Sequence, residues 1–80
     1  MITLYVNPAC PFCIKTMEVA RTIVAPLVIK DVHDEGVCDE LVALGGKKQM
    51  PYMVDDEAGV AMYESDDIIA YLHQTFGTAT

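Results

Sequence analysis

A strand-like apolar run followed by two cysteines three positions apart opens this chain. Residues 2–6 read Ile-Thr-Leu-Tyr-Val, a turn sequence Asn-Pro-Ala follows, and Cys10-Pro11-Phe12-Cys13 comes directly after it. Pro11 suits the first position of a helix, because its missing N–H needs no partner there and its φ is already helical. The segment therefore predicts a strand, a tight turn and a helix that begins at the dithiol.

The predicted helix start is a place where a thiol ionises readily. The first turn of a helix presents backbone N–H groups without partners, and the aligned peptide dipoles place partial positive charge there. Both stabilise a thiolate, so its pKa falls from about 8.5 toward about 3.5–7.5. We expect Cys10 at the cap to be the attacking sulfur and Cys13, one turn further along, to be the resolving sulfur.

Two other interpretations of the cysteines stay open at this point. Cys10 and Cys13 could join His33 and Cys38 in a zinc site, or they could be ordinary buried residues. The dithiol interpretation is favoured over both, and a zinc site is disfavoured because the chain has one close thiol pair and has strand and helix patterns on both sides of it. Three cysteines, an odd number, argue against a secreted disulfide scaffold. We interpret Cys38 as a small buried hydrophobe.

Composition and charge narrow the possible functions. The chain has 80 residues, 52% of them hydrophobic, which predicts one small domain over residues 1–80 with a real core. The net charge of −7 makes nucleic acid and anionic membrane surfaces poor partners. No apolar run is long enough to cross a bilayer, and no basic leader precedes the first strand. We therefore expect a cytoplasmic protein.

The first half of the chain predicts a helix between two strands. Pro26 ends the first helix, because the residue before a proline is pushed out of the helical region. The apolar run Leu27–Ile29 then predicts a central strand that continues to about Val32. The apolar positions with helical period in the first helix are Cys13, Met17, Ala20 and Val24.

The second half predicts a short helix, a hairpin and a last helix. Gly45-Gly46 ends the short helix, which covers residues 36–44. Ser65 is the predicted N-cap of the last helix, which Gly77 closes. The remaining predicted features are strands over residues 52–54 and 60–63, the five-residue hairpin loop 55–59, and apolar helix positions Ile69, Leu72 and Phe76. The order β-α-β-α-β-β-α predicts an α/β fold with a four-stranded mixed sheet and three helices.

The chain resembles a glutaredoxin and, more narrowly, the glutaredoxin-like N-terminal domain of glutathione transferases. The resemblance covers about residues 1–76 and rests on three segments. Cys-Pro-Phe-Cys is close to the Cys-Pro-Tyr-Cys of dithiol glutaredoxins, and residues 46–51 stand where glutaredoxins have a basic stretch ending in Thr-Val-Pro. Residues 63–68 resemble the transferase Glu-Ser motif together with the glutaredoxin Asp-Asp helix start. The resemblance implies a thioredoxin fold, glutathione as cosubstrate and no required metal.

The resemblance also implies a glutathione site. Pro51 would be cis and face the dithiol, and the backbone of Met50 would pair with the tripeptide like an added strand. A helix N-terminus at Ser65 would suit the γ-glutamyl carboxylate. The implied catalytic residues are Cys10 and Cys13, and the implied glutathione-binding residues are Phe12, Lys47, Lys48, Met50, Pro51, Glu64, Ser65 and Asp66.

The activity that the resemblance implies is a glutathione-dependent thiol–disulfide oxidoreductase. It would act as a monomer on protein disulfides and on protein–glutathione mixed disulfides. One departure stands out: glutaredoxins usually carry Lys or Arg where this chain has Asn7, so a charge that could stabilise the Cys10 thiolate is missing. The alternative is a glutathione-binding module with little turnover, or a [2Fe–2S]-carrying module in which two chains share a cluster through Cys10 and two glutathiones.

Overall fold

The computed structural model describes residues 2–77, which form seven elements. In chain order these are β1 (Ile2–Val6), α1 (Pro11–Thr22), β2 (Leu27–Asp31), α2 (Val37–Gly45), β3 (Tyr52–Asp55), β4 (Val60–Met62) and α3 (Ser65–Phe76). The order confirms the predicted four-stranded mixed sheet with three helices. No helix among these described residues is long and apolar enough to cross a membrane.

The sheet has the strand order β2-β1-β3-β4, so β1 and β3 lie in the middle. β1 pairs parallel with β2 and antiparallel with β3, and β3 pairs antiparallel with β4. A parallel neighbour requires a crossover, which α1 provides, whereas the β3–β4 hairpin needs only a short loop. β1 pairs with a strand on each side and leads straight into the turn before Cys10, so it fixes the position of the dithiol.

β2 is an edge strand, so the prediction of a central strand over residues 27–32 was wrong. Its only partner in the sheet is β1, and Val28 and Ile29 are 41% and 48% exposed. A continuous apolar run is typical of a strand buried on both faces. Here the β3–β4 hairpin occupies the other side of β1, which leaves the apolar side chains of β2 partly in solvent.

Two cores lie on opposite faces of the sheet, because alternate side chains of a strand point to opposite sides. Tyr5 belongs to the smaller core, where it packs with Leu41 of α2 and Tyr52 of β3. The larger core joins the sheet to α1 and α3, and it contains Cys13. Its buried members are Ile2, Leu4, Val6, Cys13, Ala20, Met53, Ile68 and Leu72.

The helices begin and end close to the predicted residues, with local corrections. α1 ends at Thr22, and Val24 lies beyond it with φ 55° and 82% exposure, so Val24 was wrongly assigned to the buried face. Thr16 takes a buried place instead, because its hydroxyl donates to the Phe12 carbonyl at 2.8 Å. Cys38 in α2 is half-buried and not a core residue.

The N-cap of α3 lies one residue earlier than predicted. Glu64 is the N-cap residue and Ser65 is already helical, so the prediction of Ser65 as the N-cap was wrong. Ile68 and Leu72 are the buried positions, and Ile69 is only half-buried. The hairpin loop has four residues, 56–59, and not five. Gly46 ends α2 with φ 83°, the left-handed cap predicted for it.

Candidate active site

Cys10 is the N-cap residue of α1, as predicted. Its backbone is extended, with φ −83° and ψ 125°, and Pro11 occupies the first helical position. The turn before it closes when the Cys10 N–H donates to the Asn7 carbonyl at 2.9 Å. The thiol is half-exposed, so a substrate sulfur has access to it.

The pKa of Cys10 is lowered from its usual value. The main cause is the backbone N–H of Cys13, which hydrogen-bonds the sulfur, and the N–H of Phe12 acts in the same sense against an opposing contribution from burial. These are the unpaired N–H groups of a helix start, which stabilise a negative sulfur. A hydrogen bond from the Cys13 side chain also lowers this pKa, and none of these causes is a cation.

Cys13 has the opposite character. It is fully buried in the larger core, and burial raises its pKa to about 11. The Asn7 N–H donates to its sulfur at 3.3 Å, which opposes the rise, whereas the neighbouring Cys10 sulfur adds to it. The dithiol thus pairs an accessible sulfur that favours the thiolate with a buried sulfur that stays a thiol near neutral pH.

A cleft of about 270 Å³ lies where α1, β3 and the start of α3 meet. The Met50–Pro51 peptide bond in its wall is cis, as expected from the resemblance. Cys10 and Met50 both pack against the larger core, which brings the loop before β3 to the dithiol end of the sheet. The cleft is lined by Phe12, Gln49, Met50, Pro51, Tyr63, Glu64 and Ser65.

Five of the eight residues implied to bind glutathione therefore share one cleft, and three lie outside its lining. Asp66 accepts a salt bridge from Lys15 of α1 at 2.9 Å, with both side chains well exposed. The Lys47 ammonium lies 5.5 Å from the centre of the Tyr63 ring. Lys48 is exposed beside it in the loop between α2 and β3.

Two cleft residues were not singled out from the sequence. Tyr63 follows β4 directly and precedes the N-cap of α3, so its place next to Glu64 in the motif could have marked it. Gln49 precedes the cis-proline pair in the same way.

The residues weighed as a zinc site do not come together. Within residues 2–77, no group of three or more His, Cys, Asp or Glu side chains could hold a metal ion. His33 is exposed, and its Nδ1 and backbone N–H both lie 2.8 Å from the Asp31 carboxylate. His33 is thus part of a local turn after β2.

The match to a protein-family model defines the class of this chain. Residues 4–80 match the model described as the glutathione S-transferase N-terminal domain, and the chain belongs to that family. A comparison with curated proteins found no match. The fold is the thioredoxin-like fold that the resemblance implied.

Solved structures agree with that assignment. Glutathione S-transferase unclassified 2 from Bombyx mori aligns with a TM-score of 0.83 at 24% identity, over 96% of this chain and 36% of that one. Glutathione S-transferase 1-6 from Anopheles dirus species B aligns at 0.77 and 28%, over 95% and 36%. Glutaredoxin 2 from Salmonella typhimurium, in complex with glutathione, aligns at 0.80 and 24%, over 98% and 35%. The chain spans about a third of the length of these proteins.

Proposed function

We propose that this domain is a glutathione-dependent thiol–disulfide oxidoreductase that uses Cys10 as its nucleophile. The observation that supports this best is the pKa difference within the dithiol, lowered at Cys10 and raised to about 11 at Cys13. Thiol–disulfide exchange requires a thiolate that attacks the disulfide, and a neighbouring sulfur that stays protonated does not compete with it. The cleft beside the dithiol supplies a place for the glutathione part of the substrate.

In the first step the Cys10 thiolate attacks the glutathione sulfur of a protein–glutathione mixed disulfide. A Cys10–glutathione disulfide forms, the old disulfide breaks, and the protein leaves as a thiolate that takes up a proton. The thiolate of a second glutathione then attacks the glutathione sulfur bound to Cys10. This releases oxidised glutathione and restores the Cys10 thiolate, so one free glutathione thiol is oxidised for each mixed disulfide reduced, and the other half of the oxidised glutathione comes from the substrate.

Cys13 serves the second substrate class, protein disulfides. After Cys10 has attacked such a disulfide, Cys13 loses its proton and attacks the Cys10 sulfur. The internal Cys10–Cys13 disulfide forms, and the reduced protein departs. Because its raised pKa disfavours the Cys13 thiolate near neutral pH, we expect this route to be slower than exchange through Cys10 alone.

Glutathione binding follows from the chemistry of the cleft. The cis Pro51 and the apolar faces of Phe12 and Met50 would receive the cysteinyl part of the tripeptide. The N-terminus of α3 at Ser65 would receive the γ-glutamyl carboxylate, because unpaired N–H groups there bind anions. Asp66 would bind the ammonium group of the γ-glutamyl residue. Lys47 and Lys48 would attract the glycine carboxylate, because they form the one pair of adjacent cations in a sequence with a net charge of −7.

Separate Cys10→Ser and Cys13→Ser variants test the proposal. Deglutathionylation of a glutathionylated peptide is measured with glutathione, glutathione reductase and its nicotinamide reductant. We expect Cys10→Ser to lose at least about a hundredfold in rate and Cys13→Ser to keep most of it. Cys38→Ser, a half-buried thiol in α2, is the matched control and should behave as the wild type.

Activity that survives in Cys10→Ser would defeat the proposal. The same preparations should also be assayed for conjugation of glutathione to an aromatic electrophile. Conjugation without disulfide exchange would assign the domain to transferase chemistry, in which the nucleophile is the sulfur of glutathione and not Cys10.

A binding domain with little turnover is the second candidate, and the missing cation at Cys10 favours it. Only backbone N–H groups and the Cys13 side chain lower the pKa of Cys10. Thiolate absorbance during a pH titration measures that pKa, and a value near that of free cysteine would favour binding over catalysis. A brown dimer after anaerobic purification would instead indicate a [2Fe–2S] cluster shared through Cys10 and glutathione.

A further inference from the structure

We propose that Tyr63 is a positioning residue for glutathione, because it fixes the lysine loop, residues 46–50 between α2 and β3, against the cleft. This inference rests on the proposed function for its ligand, and on the contacts of Tyr63 for its mechanism. The lysine loop contains Lys47 and Lys48, the cations implied to bind glutathione, and Met50, which lines the cleft. Its residues 46–49 are all exposed, so packing alone does not hold them.

The Tyr63 hydroxyl forms two hydrogen bonds to the backbone of one loop residue. The Lys47 N–H donates to the hydroxyl oxygen at 3.1 Å, and the hydroxyl donates to the Lys47 carbonyl at 3.1 Å. Among the described residues 2–77, these are the hydrogen bonds that tie residues 47–50 to another part of the fold. One hydroxyl therefore fixes both the donor and the acceptor of the Lys47 backbone.

The glycine at the end of α2 makes room for that hydroxyl. A Cβ placed on Gly45 would lie 1.9 Å from the Tyr63 hydroxyl oxygen and 2.6 Å from the ring carbon that bears it. Gly45 is the last helical residue and has no positive φ, so the space it leaves is what requires glycine here. The hydroxyl occupies this space, which brings it within reach of the Lys47 backbone.

The ring of Tyr63 packs against the smaller core. It stacks on Tyr52 with ring centres 4.4 Å apart, and Tyr52 stacks in turn on Tyr5 at 5.9 Å. Tyr5 and Tyr52 are buried members of the smaller core. The Lys47 ammonium lies 5.5 Å above the Tyr63 ring, a distance at which a cation is attracted to the ring face. The lysine loop is thus linked to a buried aromatic row.

Tyr63 also forms part of the cleft wall, together with Glu64 and Phe12. A single side chain therefore contacts the ligand space and sets the position of the loop on one side of it. Without the hydroxyl, the loop samples more positions, and glutathione must order it on binding. The affinity for glutathione falls, whereas the reactivity of the dithiol at the start of α1 is unchanged.

Tyr63→Phe isolates the hydroxyl, because it keeps the ring, its stacking and its cation contact. We expect amide hydrogen exchange at Lys47 to accelerate roughly three- to tenfold, and the KM for glutathione to rise by a similar factor. The kcat and the pKa of Cys10 should be unchanged. Tyr71→Phe is the matched control: Tyr71 donates to Asp55 at 2.6 Å at the other end of the sheet, and its loss should leave the KM unaltered.

Gly45→Ala approaches the same contact from α2. The added methyl group would displace the Tyr63 hydroxyl, so exchange at Lys47 and the KM should both rise at least as much as in Tyr63→Phe. Unchanged exchange at Lys47 in a folded Tyr63→Phe protein would overturn the inference, as would faster exchange with an unchanged KM. Failure of the wild-type protein to bind glutathione in a calorimetric titration would overturn the proposed function and the ligand role of Tyr63 together, and the exchange result would still decide whether Tyr63 holds the loop.

Discussion

The two ends of the sheet each combine a cavity with a buried polar group, and the smaller cavity lies at the dithiol end. At the end opposite the dithiol, a cavity of about 540 Å³ lies beside the Asp55 carboxylate. Asp55 accepts hydrogen bonds from the Tyr71 hydroxyl at 2.6 Å and from the Ala58 N–H at 3.4 Å. These hydrogen bonds hold the pKa of the Asp55 carboxyl below its usual range, and the bond from Tyr71 has the largest effect.

The same physical effects act on Cys13 with the opposite result. Burial disfavours the charged form of both groups. At Asp55, a tyrosine hydroxyl and backbone N–H groups outweigh it, and the group is an ionised structural anchor. At Cys13, the hydrogen bond from the Asn7 N–H does not outweigh burial, which raises the pKa of the thiol to about 11. Cavity size alone would point to the Asp55 end, whereas the balance between burial and hydrogen bonding distinguishes a carboxyl with a lowered pKa from a thiol pair with two different pKa values.

The largest expected effect is the difference in reactivity within the dithiol. With a pKa of about 11, Cys13 is a thiolate in about one molecule in ten thousand at pH 7. The lowered pKa and partial exposure of Cys10 further increase its reactivity relative to that of Cys13. We expect iodoacetamide to alkylate Cys10 on the order of a hundredfold faster than Cys13 or more. Mass spectrometry of peptides after timed quenching measures this, and equal alkylation rates at Cys10 and Cys13 would contradict the proposed difference between the two sulfurs.

The next largest effect is on stability at the Asp55 end. Tyr71→Phe removes the main hydrogen bond to Asp55, and we expect the Tm at pH 7 to fall by about 4–8 °C. A carboxyl with a lowered pKa adds stability above its unfolded pKa, and that stability is lost as the pH falls through the folded value. The difference in Tm between variant and wild type should therefore shrink below about pH 4. A difference independent of pH would show that Tyr71 acts by packing alone, and a change in Cys10 alkylation would show that the two ends are coupled.

A smaller change, an increase in Tm, is expected from a substitution just beyond the end of α1. Val24 has φ 55°, a left-handed conformation that is unfavourable for a β-branched residue, and its side chain is 82% exposed. Val24→Gly should raise the Tm by about 2–4 °C, because the strain is relieved and little packing is lost. Val42→Gly is the matched control on the helical, 40% exposed face of α2, where glycine should lower the Tm. A Tm decrease in both variants would contradict the strained conformation of Val24.

The sequence predicted the dithiol end better than the rest of the fold, for a physical reason. Cys10 and Pro11 are placed by local backbone preferences, which neighbouring residues in the chain determine. The cis form of Pro51 was expected from the resemblance alone, because the local preference of an X-Pro bond is trans. The edge position of β2 depends on which side of β1 the hairpin occupies, and its apolar run does not encode that. The contacts of Tyr63 with Gly45 and Lys47 join residues 16 or more positions apart, so no local pattern reveals them.

The smallest effect expected concerns the pair between α1 and α3 at the dithiol end. The Lys15 ammonium lies 2.9 Å from the Asp66 carboxylate, which the proposed function assigns to the ammonium of glutathione. Lys15 must release Asp66 when the ligand binds, so Lys15→Gln should lower the KM for glutathione, by less than about threefold because exposed pairs are weak. The gain should disappear at high salt, which screens the pair in the wild type. Arg21→Gln, which breaks the exposed pair with Glu18 on the same helix at 2.7 Å, is the control and should leave the KM unchanged. A higher KM in Lys15→Gln would instead mean that Lys15 attracts glutathione, and Asp66 would then lose its assigned role.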